Sequence, residues 1–108
     1  MQHGYSSDSQ TWFGVPDSSR PAFPQQLFDE GFSVWFGNTR GATYSKGHDD
    51  LEPYTEDSNG DVTGYGPDYE AYWNFDLDDM SGNDVPAMLE EMHGYNDNCQ
   101  KITILAHS

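Results

Sequence analysis

The chain has 108 residues, 34% of them hydrophobic and 15% aromatic, and a formal charge of -15 from Lys+Arg 4 against Asp+Glu 19. That length suits one compact domain, and the aromatic content argues against plain disorder. The basic residues Arg20, Arg40, Lys46 and Lys101 are scattered, which argues against nucleic acid as a partner, because phosphate binding needs clustered cations.

So large a negative charge opposes compaction by self-repulsion. A fragment, or a domain adapted to acid, fits both the charge and the aromatics. Direct attraction to an anionic membrane is disfavoured at neutral pH. Cys99 is the only cysteine, so an internal disulfide is excluded. No apolar run approaches the roughly 18 residues that span a bilayer, and the start, Met1-Gln2-His3-Gly4, lacks signal-peptide character.

In chain order, the first twenty residues read as loop, with Trp12 and Phe13 as anchors. A short helix is predicted over Phe23 to Glu30, with Pro24 tolerated in its first turn and Gly31 placed to end it. Phe23 and Leu27 would share its buried face. The run Phe32-Ser33-Val34-Trp35-Phe36 predicts a short buried strand, and a loop follows to about Tyr44. The stretch 48–69 is acidic and rich in Gly, Asn and Pro, as expected of a surface insertion. A helical region is predicted from about Asn74 to His93, with Leu77, Met80, Met88 and Met92 near one face. Pro86 should kink it, Asp84 could cap its second part, and Gly94 suits its end. The β-branched run Lys101 to Ala106 predicts a strand leading into His107-Ser108. Strands alternating with helical crossovers imply parallel strands in an α/β layer.

Two ends of the chain carry chemistry. A strand ending Ala106-His107-Ser108 has the form of the first half of a nucleophile elbow, where a serine sits on a tight strand-to-helix turn between small residues. Gln2-His3-Gly4-Tyr5 has the form of an oxyanion loop: Gly4 permits a tight turn, and the backbone N–H of Tyr5 would be the donor. His3 is placed to brace that loop rather than to act as a base.

The block Val34-Trp35-Phe36-Gly37-Asn38-Thr39-Arg40-Gly41-Ala42-Thr43-Tyr44-Ser45 resembles the acid lipase family, the gastric and lysosomal lipases, which carry Trp-hydrophobic-Gly-Asn-x-Arg-Gly-x-x-Tyr-Ser. Tyr72 to Met80, Asp84 to Met88, His3-Gly4, Asp8-Ser9-x-x-Trp12 and the spacing to Ser108 match in the same order. The resemblance implies a partial α/β-hydrolase fold over residues 1–108, with parallel strands and covering helices, truncated after the nucleophile strand. It implies hydrolysis of lipid esters, such as triacylglycerols or sterol esters, through an acyl-enzyme on Ser108, with no cofactor and no metal. A lipid–water interface and a secreted or lysosomal location are implied in the same way.

Beside the resemblance, Arg40 between two glycines should tie neighbouring loops together by hydrogen bonds. Trp35, Met80, Met88 and Met92 should be core, and Asp76, Asp78 and Asp79 should serve a helix start. The chain departs from the family at Tyr5, usually Leu, at Ala106, usually Gly, and in a longer acidic insertion around Glu56 to Pro67. Within that insertion, Asp57-x-Asn59-x-Asp61 resembles the start of a calcium loop, but Val62 stands where the turn glycine should be and Asp68 where a bidentate Glu would close it. A solvated surface loop is the expectation there.

In this fold the triad acid and base follow the serine, whereas His3, His48, His93 and His107 all precede Ser108. The 108 residues alone are therefore expected to fold poorly and to be inactive. The competing possibility is a small acidic non-catalytic binding module, with calcium as its ligand.

Overall fold

Pro24 and Gly31 bracket the first helix, and they do so for local reasons. In the computed structural model, which describes residues 1–14, 19–95 and 101–107, α1 spans Phe23–Asp29 with a proline in its first turn, where the missing N–H costs nothing. Gly31 follows with φ 89°, a left-handed conformation that suits glycine. The buried residue of α1 is Pro24. Phe23 is 48% exposed and Leu27 only half-buried, so the expected buried face shared by Phe23 and Leu27 is corrected: Pro24 is the residue this helix buries. Before α1, Ser9–Phe13 form a 3-10 turn, capped by the Asp8 side chain accepting from the Gln10 N–H at 2.9 Å. That turn stands where a plain loop was expected.

The acidic stretch is a hairpin. Strand β1 (Tyr54–Glu56) pairs antiparallel with β2 (Val62–Tyr65), Tyr54 facing Tyr65 and Thr55 facing Gly64, with a bulge at Thr55/Glu56. Helix α2 (Tyr69–Tyr72) packs tyrosines against it: Tyr69 lies 5.8 Å from the Tyr54 ring and 4.4 Å from the Tyr65 ring. Tyr72, 7% exposed, is the buried hydrophobic residue among those described, and its hydroxyl donates to the Lys46 carbonyl at 2.9 Å. Burial with a satisfied hydroxyl is how a tyrosine anchors a small cluster.

Next come α3 (Leu77–Asp79), a π-helical turn (Met80–Asp84) and α4 (Val85–Tyr95), one after another without a break. Asp76 starts the run with a capping box: its carboxylate accepts from the Asp78 and Asp79 N–H groups, and Asp79 accepts from the Asp76 N–H. The aspartates at this start are structural, as expected. The proline kink takes the form of the π turn, in which Val85 N–H bonds the Met80 carbonyl five residues back; Pro86 has no N–H to continue an ordinary α pattern. The run continues one residue beyond Gly94, to Tyr95. Met80, Met88 and Met92 are half-buried, but Leu77 is 61% exposed, so the apolar face is narrower than its spacing implies.

The expected parallel layer is reduced to single contacts. Gln2 forms isolated parallel bridges to Gly37 on one side and to Ala106 on the other, while the regular two-stranded sheet is antiparallel. Neither 32–36 nor 101–106 is a ladder strand. The reason is lack of cover: parallel strands persist where both faces are packed, and here Phe32 is 61% and Ile104 52% exposed. The radius of gyration, 16.5 Å, exceeds the ~13 Å usual for this length, as fits a thin core. Among the described residues, no helix is long and apolar enough to cross a membrane.

Candidate active site

Five consecutive residues, Gly37 to Gly41, fasten the chain to five different places. The Gly37 N–H donates to the Met1 carbonyl at 3.0 Å, and a β-carbon at Gly37 would sit 2.6 Å from both Gln2 Oε1 and Met88 Sδ, so those two side chains would have to shift to admit one. Asn38 Oδ1 accepts from the Ser9 N–H at 2.9 Å while its Nδ2 donates to Ser9 Oγ at 3.1 Å. The Thr39 N–H donates to His3 Nε2 at 3.2 Å. Arg40 donates its backbone N–H to Asp84 Oδ2 at 2.9 Å, and its Nε and Nη2 to Asp84 Oδ1 at 2.8 and 2.6 Å. The Gly41 N–H donates to the Ser45 carbonyl at 2.9 Å.

Arg40 thus ties loops together, as the sequence implies, and Asp84 is its partner. The expected helix-cap role of Asp84 is corrected accordingly: its carboxylate faces Arg40 instead. Nothing in the linear order of residues shows which amide a carboxylate will meet. The hydrogen bond to Asp84 raises the Arg40 guanidinium above its ordinary value, burial opposes this, and the negative charges of Asp84 and Asp79 add to the rise. The guanidinium also lies 5.7 Å over the Phe75 ring, a cation–π contact.

His3 is 7% exposed and bridges two segments. Since the Thr39 N–H must donate, Nε2 is the acceptor, and Nδ1 carries the proton that it shares with the Gly4 carbonyl at 2.8 Å. The ring therefore braces the loop, as expected, with both nitrogens engaged. The Ser7 N–H also reaches the Gly4 carbonyl, at 3.2 Å, closing a turn with Tyr5 and Ser6 at its apex and Ser6 at φ 57°. The Tyr5 side chain is 76% exposed there.

At the other end, the Gln2 N–H donates to the Leu105 carbonyl at 2.8 Å and the His107 N–H donates to the Gln2 carbonyl at 3.1 Å. The 105–107 segment therefore runs alongside Gln2, three residues before Tyr5. Ser108, the predicted nucleophile, lies outside the described residues.

Two of the calcium-like carboxylates, those of Asp57 and Asp68, accept backbone amides. Asp57 Oδ1 accepts from the Asn59 N–H at 2.8 Å and the Asp61 N–H at 3.1 Å, and Gly60 turns the chain at φ 84°. These bonds, that from Asn59 first, hold the Asp57 carboxyl below its ordinary range. Asp68 serves the other end of the hairpin, where Oδ2 accepts from the Glu52 N–H at 3.1 Å. Among the described residues no three His, Cys, Asp or Glu side chains come together as metal ligands would. A cleft of about 350 Å³ is lined by Arg40, His48, Leu51, Tyr72, Phe75 and Asp84, among others; neither the Tyr5 turn nor the 105–107 segment borders it.

Known proteins resemble this chain closely enough to interpret the arrangement. The chain is 35% identical to triacylglycerol lipase 2 of Arabidopsis thaliana over 108 residues, all of this chain and 22% of the relative. It is 33% identical to the lysosomal acid lipase/cholesteryl ester hydrolase of Rattus norvegicus over 88 residues, 82% of this chain and 18% of the relative. It is 32% identical to lipase member K of Homo sapiens over 90 residues, again 82% of this chain and 18% of the relative. The chain thus spans about a fifth of the length of the curated relatives it matches. No family model matches it, and no solved structure does. Lipase relatives of this kind imply an α/β-hydrolase class for the chain. More narrowly, it is acid lipase-like, as the Gly37 to Ser45 block implies.

Proposed function

We propose that this chain supplies the nucleophile and one oxyanion donor of a serine ester hydrolase acting on lipid esters, built on the parallel sheet of an α/β-hydrolase. Ser108 attacks the ester carbonyl, the carbonyl–alkoxy bond breaks to release the alcohol, and water then cleaves the acyl-enzyme to the carboxylic acid and free serine, while the Tyr5 N–H holds the developing oxyanion. The observation that carries this reading is the pairing of Gln2 with the 105–107 segment, through the Leu105 carbonyl and the His107 N–H. It brings the segment that leads to Ser108 beside the loop that bears Tyr5. The lipase names of the relatives support the substrate class, and a secreted or lysosomal location fits the acid and lysosomal names among them.

The 108 residues by themselves hydrolyse no ester in this reading. A serine needs a general base, and in this fold the base follows the serine in the chain. His3, beside the Tyr5 turn, already has both ring nitrogens bonded.

The test is covalent labelling of the protein expressed from its own reading frame with a p-nitrophenyl alkylphosphonate, followed by peptide mass mapping. The label is expected on Ser108, with both label and lipid-ester hydrolysis lost in Ser108→Ala. A label on another serine, or hydrolysis retained by that variant, overturns the assignment.

A further inference from the structure

The geometry points to Asp84, in the π turn between α3 and α4, as a positioning residue for the oxyanion amide, acting through Arg40, Thr39 and His3. The inference rests on the reading of Tyr5 as an oxyanion donor and adds what holds that donor in place.

The relay is a chain of hydrogen bonds that starts from a carboxylate. Asp84 is 13% exposed at its side chain and accepts the Arg40 backbone N–H and the guanidinium together. Charge-assisted bonds to a half-buried carboxylate are stronger than neutral ones, so the Thr39–Arg40 peptide is fixed in orientation. The preceding amide, Thr39 N–H, then points at His3 Nε2. An acceptor Nε2 forces the proton onto Nδ1, and Nδ1 donates to the Gly4 carbonyl.

The last step is geometric. The Gly4 carbonyl and the Tyr5 N–H belong to one planar peptide unit, so holding the oxygen sets the direction of the N–H on the opposite side. That oxygen is held twice, by His3 Nδ1 at 2.8 Å and by the Ser7 N–H at 3.2 Å. Among the described residues these two bonds hold that oxygen against rotation of a peptide next to a glycine, the residue least able to resist it. Oxyanion donors act by being oriented before the charge develops. Losing the His3 bond would let the peptide rotate and the donor swing away.

The π turn matters because of where it ends. Its extra residue per turn delivers Asp84 to the Arg40 backbone just before Val85 and Pro86 resume the α-helix. Because the link passes through the Arg40 backbone N–H as well as its side chain, the relay predicts unequal effects of two substitutions. Asp84→Ala removes every acceptor and should break it. Arg40→Lys keeps the backbone N–H but loses the Nε and Nη2 bonds, and should weaken it less than Asp84→Ala does.

The experiment reads the tautomer of His3 by ¹⁵N imidazole NMR and, separately, ester hydrolysis, both in the protein expressed from its own reading frame. The expected wild-type signal is a protonated Nδ1 with an unprotonated Nε2. Asp84→Ala should populate the Nε2–H form and lower kcat about tenfold or more with KM little changed, because the donor acts on the transition state. Arg40→Lys should shift the tautomer and lower kcat less than Asp84→Ala does, and Asp84→Asn serves as a gentler probe should the alanine variant fold poorly. An unchanged tautomer in both Asp84 variants overturns the relay. A shifted tautomer with unchanged kcat overturns the link to the oxyanion donor. Hydrolysis that survives Ser108→Ala removes the catalytic reading itself, and the tautomer result then reports a loop brace only.

Discussion

A β-carbon on Gly41 would lie 2.6 Å from Trp73 Cζ3 and 3.0 Å from Phe75 Cζ. Gly41 also holds φ 77°, so a side chain there meets both backbone strain and the face of an indole. Gly41→Ala is expected to destabilise the protein expressed from its own reading frame by about 1–3 kcal/mol, read as a fall in the urea midpoint. An unchanged midpoint would show that Trp73 moves aside at no cost.

Asn38 joins its loop to the 3-10 turn through two bonds to Ser9, one accepted from the backbone and one donated to the hydroxyl. Asn38→Ala should leave the Ser9 N–H without its partner and speed its hydrogen exchange about tenfold, the equivalent of one modest hydrogen bond. Equal exchange in the two proteins would mean that the turn is held by Asp8 and Thr11 alone.

The hairpin turn should weaken in acid. Backbone bonds from Asn59 and Asp61 depress the Asp57 carboxyl below 3.8, so its contribution is present above the ordinary carboxylate value and is lost as pH falls through the lowered one. Side-chain ¹³C titration of Asp57 should give a midpoint below 3.8, with the Asn59 N–H shift moving in step. A midpoint at or above the ordinary value would contradict the turn bonds. Calcium should leave this carboxyl's titration unchanged, since its oxygen already serves two amides.

Tyr72 has the opposite sign. Burial, with the nearby Tyr54 adding, raises its phenol above 10.0. The neutral phenol's contribution is therefore complete below that value and is lost as pH climbs through the raised one. The ultraviolet titration of the protein expressed from its own reading frame minus that of its Tyr72→Phe variant should show one tyrosine ionising above 10.0. A difference curve centred lower would place Tyr72 in water.

The 108 residues on their own should lack a cooperative heat-capacity peak. Only Tyr72 among the described hydrophobic residues is buried, whereas Phe28, Phe32 and Leu77 are each more than 60% exposed, too little apolar burial to offset chain entropy. A sharp calorimetric transition would refute this.

Much of this was legible before any coordinates, where local chemistry decides. Pro24 and Gly31 set the limits of α1, and Asp76 with Asp79 announced a helix start, because caps and turns depend on neighbours in sequence. His3 bracing its loop and Arg40 tying loops were legible in kind. Their partners were not: Asp84 carries the chemistry of a cap, and only the fold shows that it meets Arg40 instead. The hairpin was missed because β1 is three residues long and its Asp57 to Asp61 turn has the composition of a cation loop. The expected strands at 32–36 and 101–106 have the right residue types, yet a strand forms only where neighbours pair with it along its length and cover its faces.

The bridge from Gln2 to Ala106 has a consequence for the order of assembly. On the ribosome, Gln2 emerges about a hundred residues ahead of its partners at 105–107, and closing so long a loop carries an entropic penalty that local turns escape. Gln2 must wait, solvated and unattached on that side, until the 105–107 segment has been made. Chaperones that hold nascent chains would meet the Gln2 to Tyr5 segment in that waiting state.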